Sequence, residues 1–286
     1  MAARAREEIM IQYPQIDPVA LSIGPISIDW YGLTYSIGPI SIYWYGLTYV
    51  GGLMFAWWLG RQRSSVAGSP ISEAQVDDLI FYAALGIIIG GRIGYALFYG
   101  SGSPLDDPLR LFRLWEGGMS FHGGFLGVVI AVGFLCRHKN LEFSALVDFI
   151  APLAPIGLAL GRLGNFINQE LWGRPADVPW AMVFPYDPLG LARHPSQLYQ
   201  FAMEGLLLFF ILYWYTQTPR PRWSSAGLFL LGYGVFRSIA EFFREPDAHI
   251  GFDALGWLTR GQLLSMPMIV AGSAIIIWAY RRDVRT

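Results

Sequence analysis

One cysteine, one lysine and four histidines occur among 286 residues, and charged side chains make up only 14% of the chain. The lone Cys136 excludes a disulfide framework and a cysteine-based metal site. His122, His138, His194 and His249 form no HExxH or other metal-ligating spacing, so neither a metal nor an organic cofactor is expected. Soluble domains carry about 25% charged residues, and this chain has too few to stay in water. A net charge of -1 supplies no general basic face, which excludes nucleic acid as a partner. Apolar residues take the remaining places: 54% hydrophobic, 16% aromatic, with a mean hydropathy of +0.40. No soluble core of this size hides that much apolar surface. The composition predicts an all-α polytopic membrane protein with the lipid bilayer as partner.

Seven segments, residues 43–60, 79–99, 120–136, 144–164, 197–215, 224–243 and 262–280, have about the 17 to 25 residues that a spanning helix needs. The first fifteen residues are polar and lack an apolar core, so insertion is expected to rely on an internal span. Alternate connections carry Arg61 and Arg63, Arg137 and Lys139, Arg220 and Arg222, and the tail residues Arg281, Arg282 and Arg285. Short-loop cations mark the cytoplasmic side. The amino terminus is therefore expected outside and the carboxyl terminus inside, although Arg4 and Arg6 count against it. The expected organisation is an outer arm over 1–42, a seven-helix membrane domain over 43–282 and a cytoplasmic tail over 283–286. Residues 165–196 hold five prolines together with Trp172, Trp180, Phe184 and Tyr186, which predicts a small folded periplasmic cap.

Residues 22–35 and 36–49 are a tandem copy, SIGPISIDWYGLTY and SIGPISIYWYGLTY, differing only at Asp29 and Tyr43. Two copies are too few for a solenoid. The second copy runs straight into the apolar stretch at Val50, so Tyr45, rather than Tyr31, is taken as the working tyrosine of WYG.

The informative residues are charges placed where lipid is expected. Arg92, Arg162, and Arg237 with Glu241 all fall inside spans. An intramembrane arginine costs roughly 2.5–3.5 kcal/mol even on lenient scales, so it faces a partner or a wet cavity. Arg237 and Glu241 are four apart and fit a plain ion pair, but intramembrane acids are few, with Glu241 the clearest. At about 1.5 Å per residue, Arg92 and Arg237 lie about 20 Å, and Arg162 about 27 Å, from their cytoplasmic helix ends. His122 starts a helix running the other way and shares that outer half. Glycines flank all four, leaving room for close helix approach or for a bulky ligand. Arginine holds phosphate through a planar fork of donors, and phospholipid headgroups are the abundant anions at that depth. His122 can move a proton near neutral pH. Asn165, Asn168, Gln169 and Glu170 follow Arg162, either to cap a helix end or to orient that arginine and bind a hydroxyl. His194, beside Ser196, is expected to cap the fifth helix.

The motifs GGRIGYALFY, LWEGGMSFHGG, GLALGRLGNFINQELWGR, RHPSQLY and GYGVFRSIAEFFREPD resemble the bacterial phosphatidylglycerol–prolipoprotein diacylglyceryl transferase family over residues 40–282. Two departures stand out: the doubled WYG segment, and Gln200 where the family often has glutamate. The resemblance implies transfer of a diacylglyceryl group from phosphatidylglycerol to the lipobox cysteine of a preprolipoprotein. The product is a thioether, and glycerol 1-phosphate leaves. It also implies a multi-pass protein of the cytoplasmic (inner) membrane with its site facing the periplasmic leaflet. The resemblance assigns His122, Arg162, Asn165, Glu170, Gly173, Arg237 and Tyr45 to the functional set, with Arg92, Tyr233, Arg244 and His194 at neighbouring motif positions. In that account Arg162 and Arg237 hold the phosphate, His122 is the candidate base with Tyr45 or an arginine-lowered thiol pKa as the rival, and Glu241 and Glu170 orient the arginines. Cys136 lies at the cytoplasmic end of its span, on the wrong side to act as nucleophile. The rival readings are a transporter or flippase of an anionic lipid or solute, and a noncatalytic scaffold.

Overall fold

The computed structural model describes residues 11–24, 26–30, 33–37, 40–98, 118–246 and 258–283. The chain divides into two compact units, one made of residues 1–52 and 151–286 and the other of 53–150.

The second unit is built on two helices, α2 (Glu73–Phe98) and α3 (Phe121–Lys139). Their contact is glycine against glycine. A Cβ at Gly90 would lie 2.2 Å from the carbonyl oxygen of Gly123, and one at Gly127 would lie 2.0 Å from that of Gly86. Only hydrogen fits between the backbones, which is how membrane helices gain dispersion contact without a hydrophobic driving force. Ser120 caps α3 by accepting the Gly123 N–H, and Asn140 ends the helix in the left-handed conformation. Arg137, His138 and Lys139 crowd its last turn, where the helix dipole favours cations. At the start of α2, Asp77 accepts from Trp57 and Arg61, the latter also bonding Glu73, while Lys139 pairs with Asp78 at 2.7 Å. Trp57 and Arg61 belong to α1 (Trp44–Ser64). A short helix, α4 (Phe143–Ile150), closes this unit.

In the first unit, α5 (Ala154–Ile167) starts with Pro155, whose missing N–H costs nothing in a first helical turn. The span-length run Ser196–Tyr215 is not one regular helix. It passes from α6 (Ser196–Gln200) through a π-helical stretch, Phe201–Leu207, into α7 (Leu208–Tyr215). Helices α8 (Ser224–Ala240) and α9 (Arg260–Asp283) lie against each other through small residues: a Cβ at Gly272 would sit 2.5 Å from the Leu231 nitrogen.

Among the described residues three helices are long and apolar enough to cross a membrane, Glu73–Leu97, Ser196–Tyr215 and Arg260–Asp283. The broken pair Phe143–Ile150 and Ala154–Ile167 makes a fourth if it is one span. Helices also occupy the other three positions expected from the sequence, but Trp44–Ser64, Phe121–Lys139 and Ser224–Ala240 fall short of that combined length and hydropathy. The protein is thus a mostly helical membrane protein rather than an all-α one, because short strands accompany the helices. Strands β1 (Ile11–Gln12), β6 (Met182–Val183) and β7 (Ala192–Arg193) form a small mixed sheet in the order β1-β6-β7. Two hairpin-like pairs span the duplicated region: β2 (Val19–Ile23) runs antiparallel to β5 (Ile40–Tyr43), and β3 (Ile26–Trp30) to β4 (Leu33–Ile37). The two ISI runs, 26–28 in β3 and 40–42 in β5, do not pair with each other; each lies against a different strand.

Residues 168–195 fold around a small aromatic core of Tyr13, Phe166 and Phe184, with Trp172, Met182 and Leu198 against it. The Tyr13 hydroxyl donates to the carbonyls of Phe166 (2.9 Å) and Ile167 (3.1 Å), two of the orphan acceptors at the end of α5. This ties β1 to the segment that carries Arg162. Asp187 and Arg193, both buried, make a two-pronged ion pair of 2.7 and 3.1 Å, with Glu245 3.3 Å away.

Candidate active site

Close approach of two helices sets the site. A Cβ at Gly205 would lie 2.4 Å from the Ala159 side chain, so the π-helical stretch is pressed onto α5 one turn before Arg162. The neighbouring Glu204 is thereby brought to Arg162: its Oε2 accepts from Nη2 at 3.2 Å. From α8, Arg237 Nη1 lies 3.6 Å from the other carboxylate oxygen, Oε1. The Glu204 side chain has no exposed surface. Two guanidiniums from separate helices therefore converge on one buried carboxylate.

The cluster extends along α8. Arg237 pairs with Glu241, as their spacing predicts. Glu241 is shared: Arg244 Nη1 stands 3.2 Å from Oε1, and the Thr259 hydroxyl donates to Oε2 at 2.7 Å. Gly261 admits this packing, since a Cβ there would lie 2.5 Å from the same carboxylate. Tyr233, stacked on Phe229, lies near Arg162, Arg237 and Glu204.

Asn165 and Glu170 meet each other, Asn165 Nδ2 donating to Glu170 Oε1 at 2.7 Å. Here the structure corrects the sequence reading. Glu170 bonds the amide of Asn165 rather than orienting Arg162, whose carboxylate partner is Glu204. The physical reason is the turn after α5: Gln169 and Leu171 adopt left-handed backbone, which swings Glu170 back over Asn165. Tyr45 is on the same side of the unit. Its hydroxyl is 3.1 Å from that of Tyr49, and it lies near Asn165 and Glu170. Gly164 makes room, because a Cβ would lie 2.8 Å from the Tyr45 ring. Tyr31 lies outside the described residues.

His194 also departs from expectation. It does not cap the fifth helix, for Pro195 precedes α6 and no side chain accepts the first-turn N–H groups. Instead His194 Nδ1 meets the Tyr199 hydroxyl at 3.0 Å, and its ring packs edge-on against Phe243. Burial lowers its pKa below the ordinary histidine value. The Ser196 hydroxyl donates to the Leu171 carbonyl. Gly173 lies where three backbones meet. Its N–H donates to His194 O, Arg174 N–H donates to Phe243 O, and a Cβ would be 2.5 Å from each of those oxygens.

Arg92 belongs to the second unit, where it is buried and Nη1 donates to the Gly118 carbonyl at 3.1 Å. His122 is the second residue of α3, and its side chain lies outside the described residues, as do His249 and the LWEG part of its motif.

The comparisons with known proteins complete this picture. Residues 34–278 match the prolipoprotein diacylglyceryl transferase family. The chain belongs to that family. The match takes in Tyr45 and leaves out Tyr31. A Teredinibacter turnerae protein named phosphatidylglycerol–prolipoprotein diacylglyceryl transferase is 55% identical over 282 residues, covering 95% of this chain and 93% of its own. Its namesake in Marinomonas sp. is 55% identical over 94% of each chain, and that of Azotobacter vinelandii 52% identical over 96% of this chain and 99% of its own. Glu204 is not among the site residues expected from the sequence. It sits in an apolar run, and the rule that singled out the buried arginines would have found it had it been applied to acids as well.

Proposed function

We propose that this member of the family transfers the diacylglyceryl group of phosphatidylglycerol to the lipobox cysteine of a preprolipoprotein at the cluster around Arg162 and Arg237. Seven helices cross the cytoplasmic membrane in this reading, with the amino terminus outside and the cluster towards the periplasmic leaflet. Residues 168–195 then cap the outer face. The observation that carries the assignment is the convergence of Arg162 and Arg237, 3.2 and 3.6 Å from the two oxygens of Glu204.

The substrate thiol attacks the glycerol carbon that bears the phosphodiester. A carbon–sulfur bond forms, the carbon–oxygen bond breaks, and the phosphate leaves as glycerol 1-phosphate. The thiol proton passes to a base, because a thiol with a pKa of about 8.5 is a poor nucleophile until ionised. His122 takes that part, at the start of α3. The electron pair of the broken bond ends on a phosphate oxygen, and preorganised guanidiniums aimed at such an oxyanion lower the barrier by a few kcal/mol each. Arg162 and Arg237 supply them, with Tyr233 beside both. Glu241 fixes Arg237, while Arg244 and Thr259 fix Glu241 in turn. Tyr45, Asn165 and Glu170 form the polar wall for the glycerol hydroxyls, and Gly173 holds the cap down on it. Arg92 and His194 complete the set of residues proposed to bind phosphatidylglycerol.

Product analysis tests the assignment. Purified protein in phosphatidylglycerol vesicles with a lipobox peptide should yield a peptide heavier by one diacylglyceryl group and one equivalent of glycerol 1-phosphate. Lipid left chemically intact after moving between leaflets would instead establish a flippase.

A further inference from the structure

Glu204 takes no part in the chemistry above, yet its side chain is fully buried between the two arginines. A charge so enclosed is costly unless its partners are close. The count of charges is informative. Glu241 and Arg244 form one pair, and Arg162 with Arg237 then hold two positive charges against the single negative charge of Glu204. Among these five ion-paired side chains one positive charge remains, with Arg174 held apart on the backbone carbonyls of Glu241 and Arg244. A second observation points to the same place. Glu204 Oε1 and Arg237 Nη1 face each other at 3.6 Å, both buried, and neither has a hydrogen-bond partner among the described residues. Donor capacity on Arg237 is thus unspent beside the carboxylate.

We propose that Glu204 is the specificity-determining positioning residue of the arginine pair, setting its charge to receive a phosphodiester monoanion and to release a phosphomonoester dianion. The inference rests on the assignment of Arg162 and Arg237 to phosphate. In a site of low dielectric, uncompensated net charge is the costly quantity. An intact phosphatidylglycerol brings one negative charge and leaves the cluster neutral. After the carbon–oxygen bond breaks, the phosphate is a monoester with a second ionisation near 6. Near neutral pH it carries close to two negative charges, one too many beside Glu204, and it is expelled. Without Glu204 the arginines would hold the product as firmly as the substrate.

Competition measures this. Turnover of phosphatidylglycerol is followed near neutral pH with soluble glycerophosphoglycerol, a diester, or glycerol 1-phosphate, a monoester, as competitor. The wild type should be inhibited at least about tenfold more strongly by the diester, a difference of about 1.4 kcal/mol. In Glu204→Gln the order should reverse, and Glu204→Asp should restore it. Equal inhibition of the wild type by the two compounds overturns the proposal whether or not the variants fold. So does an unchanged order in an active Glu204→Gln enzyme. If neither compound competes while lipid is still consumed, the arginines are not the phosphate site, and the failure belongs to the functional assignment.

Discussion

Arg162 Nη2 donates to Glu204 Oε2 at 3.2 Å across 42 residues of sequence. Arg237 shares the same carboxylate, so removing it strands two buried guanidiniums at once. Breaking a buried pair from one side costs about 3–5 kcal/mol. Glu204→Ala should therefore lower the unfolding midpoint of the detergent-solubilised protein markedly, and Glu204→Gln, which keeps shape and hydrogen bonding, should lower it less. Equal midpoints for Glu204→Ala and wild type would show that the carboxylate holds nothing together.

Gly173 offers a steric test of the cap. A methyl group there meets two carbonyl oxygens at 2.5 Å, whereas one at Gly161 meets nothing within 4 Å. Overpacking of this kind costs about 1–3 kcal/mol. Gly173→Ala should lose most turnover and expose residues 168–195 to proteolysis, and Gly161→Ala should keep both intact. A normal cleavage pattern for Gly173→Ala would contradict the packing described.

The two tyrosines of the duplicated segment separate cleanly. Tyr45 lies near Asn165 and Glu170. Its hydroxyl is expected to matter for chemistry, and Tyr45→Phe should reduce kcat by about tenfold or more. Tyr31→Phe should leave kcat unchanged. The reverse pattern in the same vesicle assay would move the working copy to residues 22–35.

Acid should loosen the cap in two steps. Burial lowers the His194 pKa below 6.5, so the folded cap favours neutral imidazole. That contribution is complete above 6.5 and is lost as pH falls through the lowered folded value. Arg193, its largest influence, likewise lowers Asp187 below 3.8, and that contribution persists until pH falls through a still lower value. Thermal stability should thus begin to decline below about pH 6.5, and His194→Gln should remove this first decline only. A wild-type melting curve that is flat between neutral pH and the carboxylate range would be inconsistent with a neutral His194.

Much of the scaffold was legible in the sequence. Apolar runs gave helices where they were expected, and the four-residue spacing of Arg237 and Glu241 gave their pair. The turn after α5 was not legible, because left-handed backbone at Gln169 and Leu171 is unusual for those residues and redirects Glu170 onto Asn165. Nor was the strand pairing around the duplication, where each ISI run takes a partner other than its repeat. Glu204 stands out as an acid in an apolar run, but its partners lie on two other helices, and the π-helical stretch that presents it to them has no signature in FAMEGLL. Tyr13 is similar, a residue from the polar arm whose role depends on carbonyls more than 150 residues away.

The most direct measurement is a double-mutant cycle on kcat/KM with Arg162→Lys and Arg237→Lys in phosphatidylglycerol vesicles. Lysine keeps the charge and loses the planar fork. If both guanidiniums grip one phosphate, each single variant should fall by about a hundredfold while remaining folded, roughly the loss of one preorganised oxyanion donor. The double variant should then fall by much less than the product of the two losses, because the residues act as one unit. Full turnover by either folded single variant, or strictly multiplicative losses, would contradict the account.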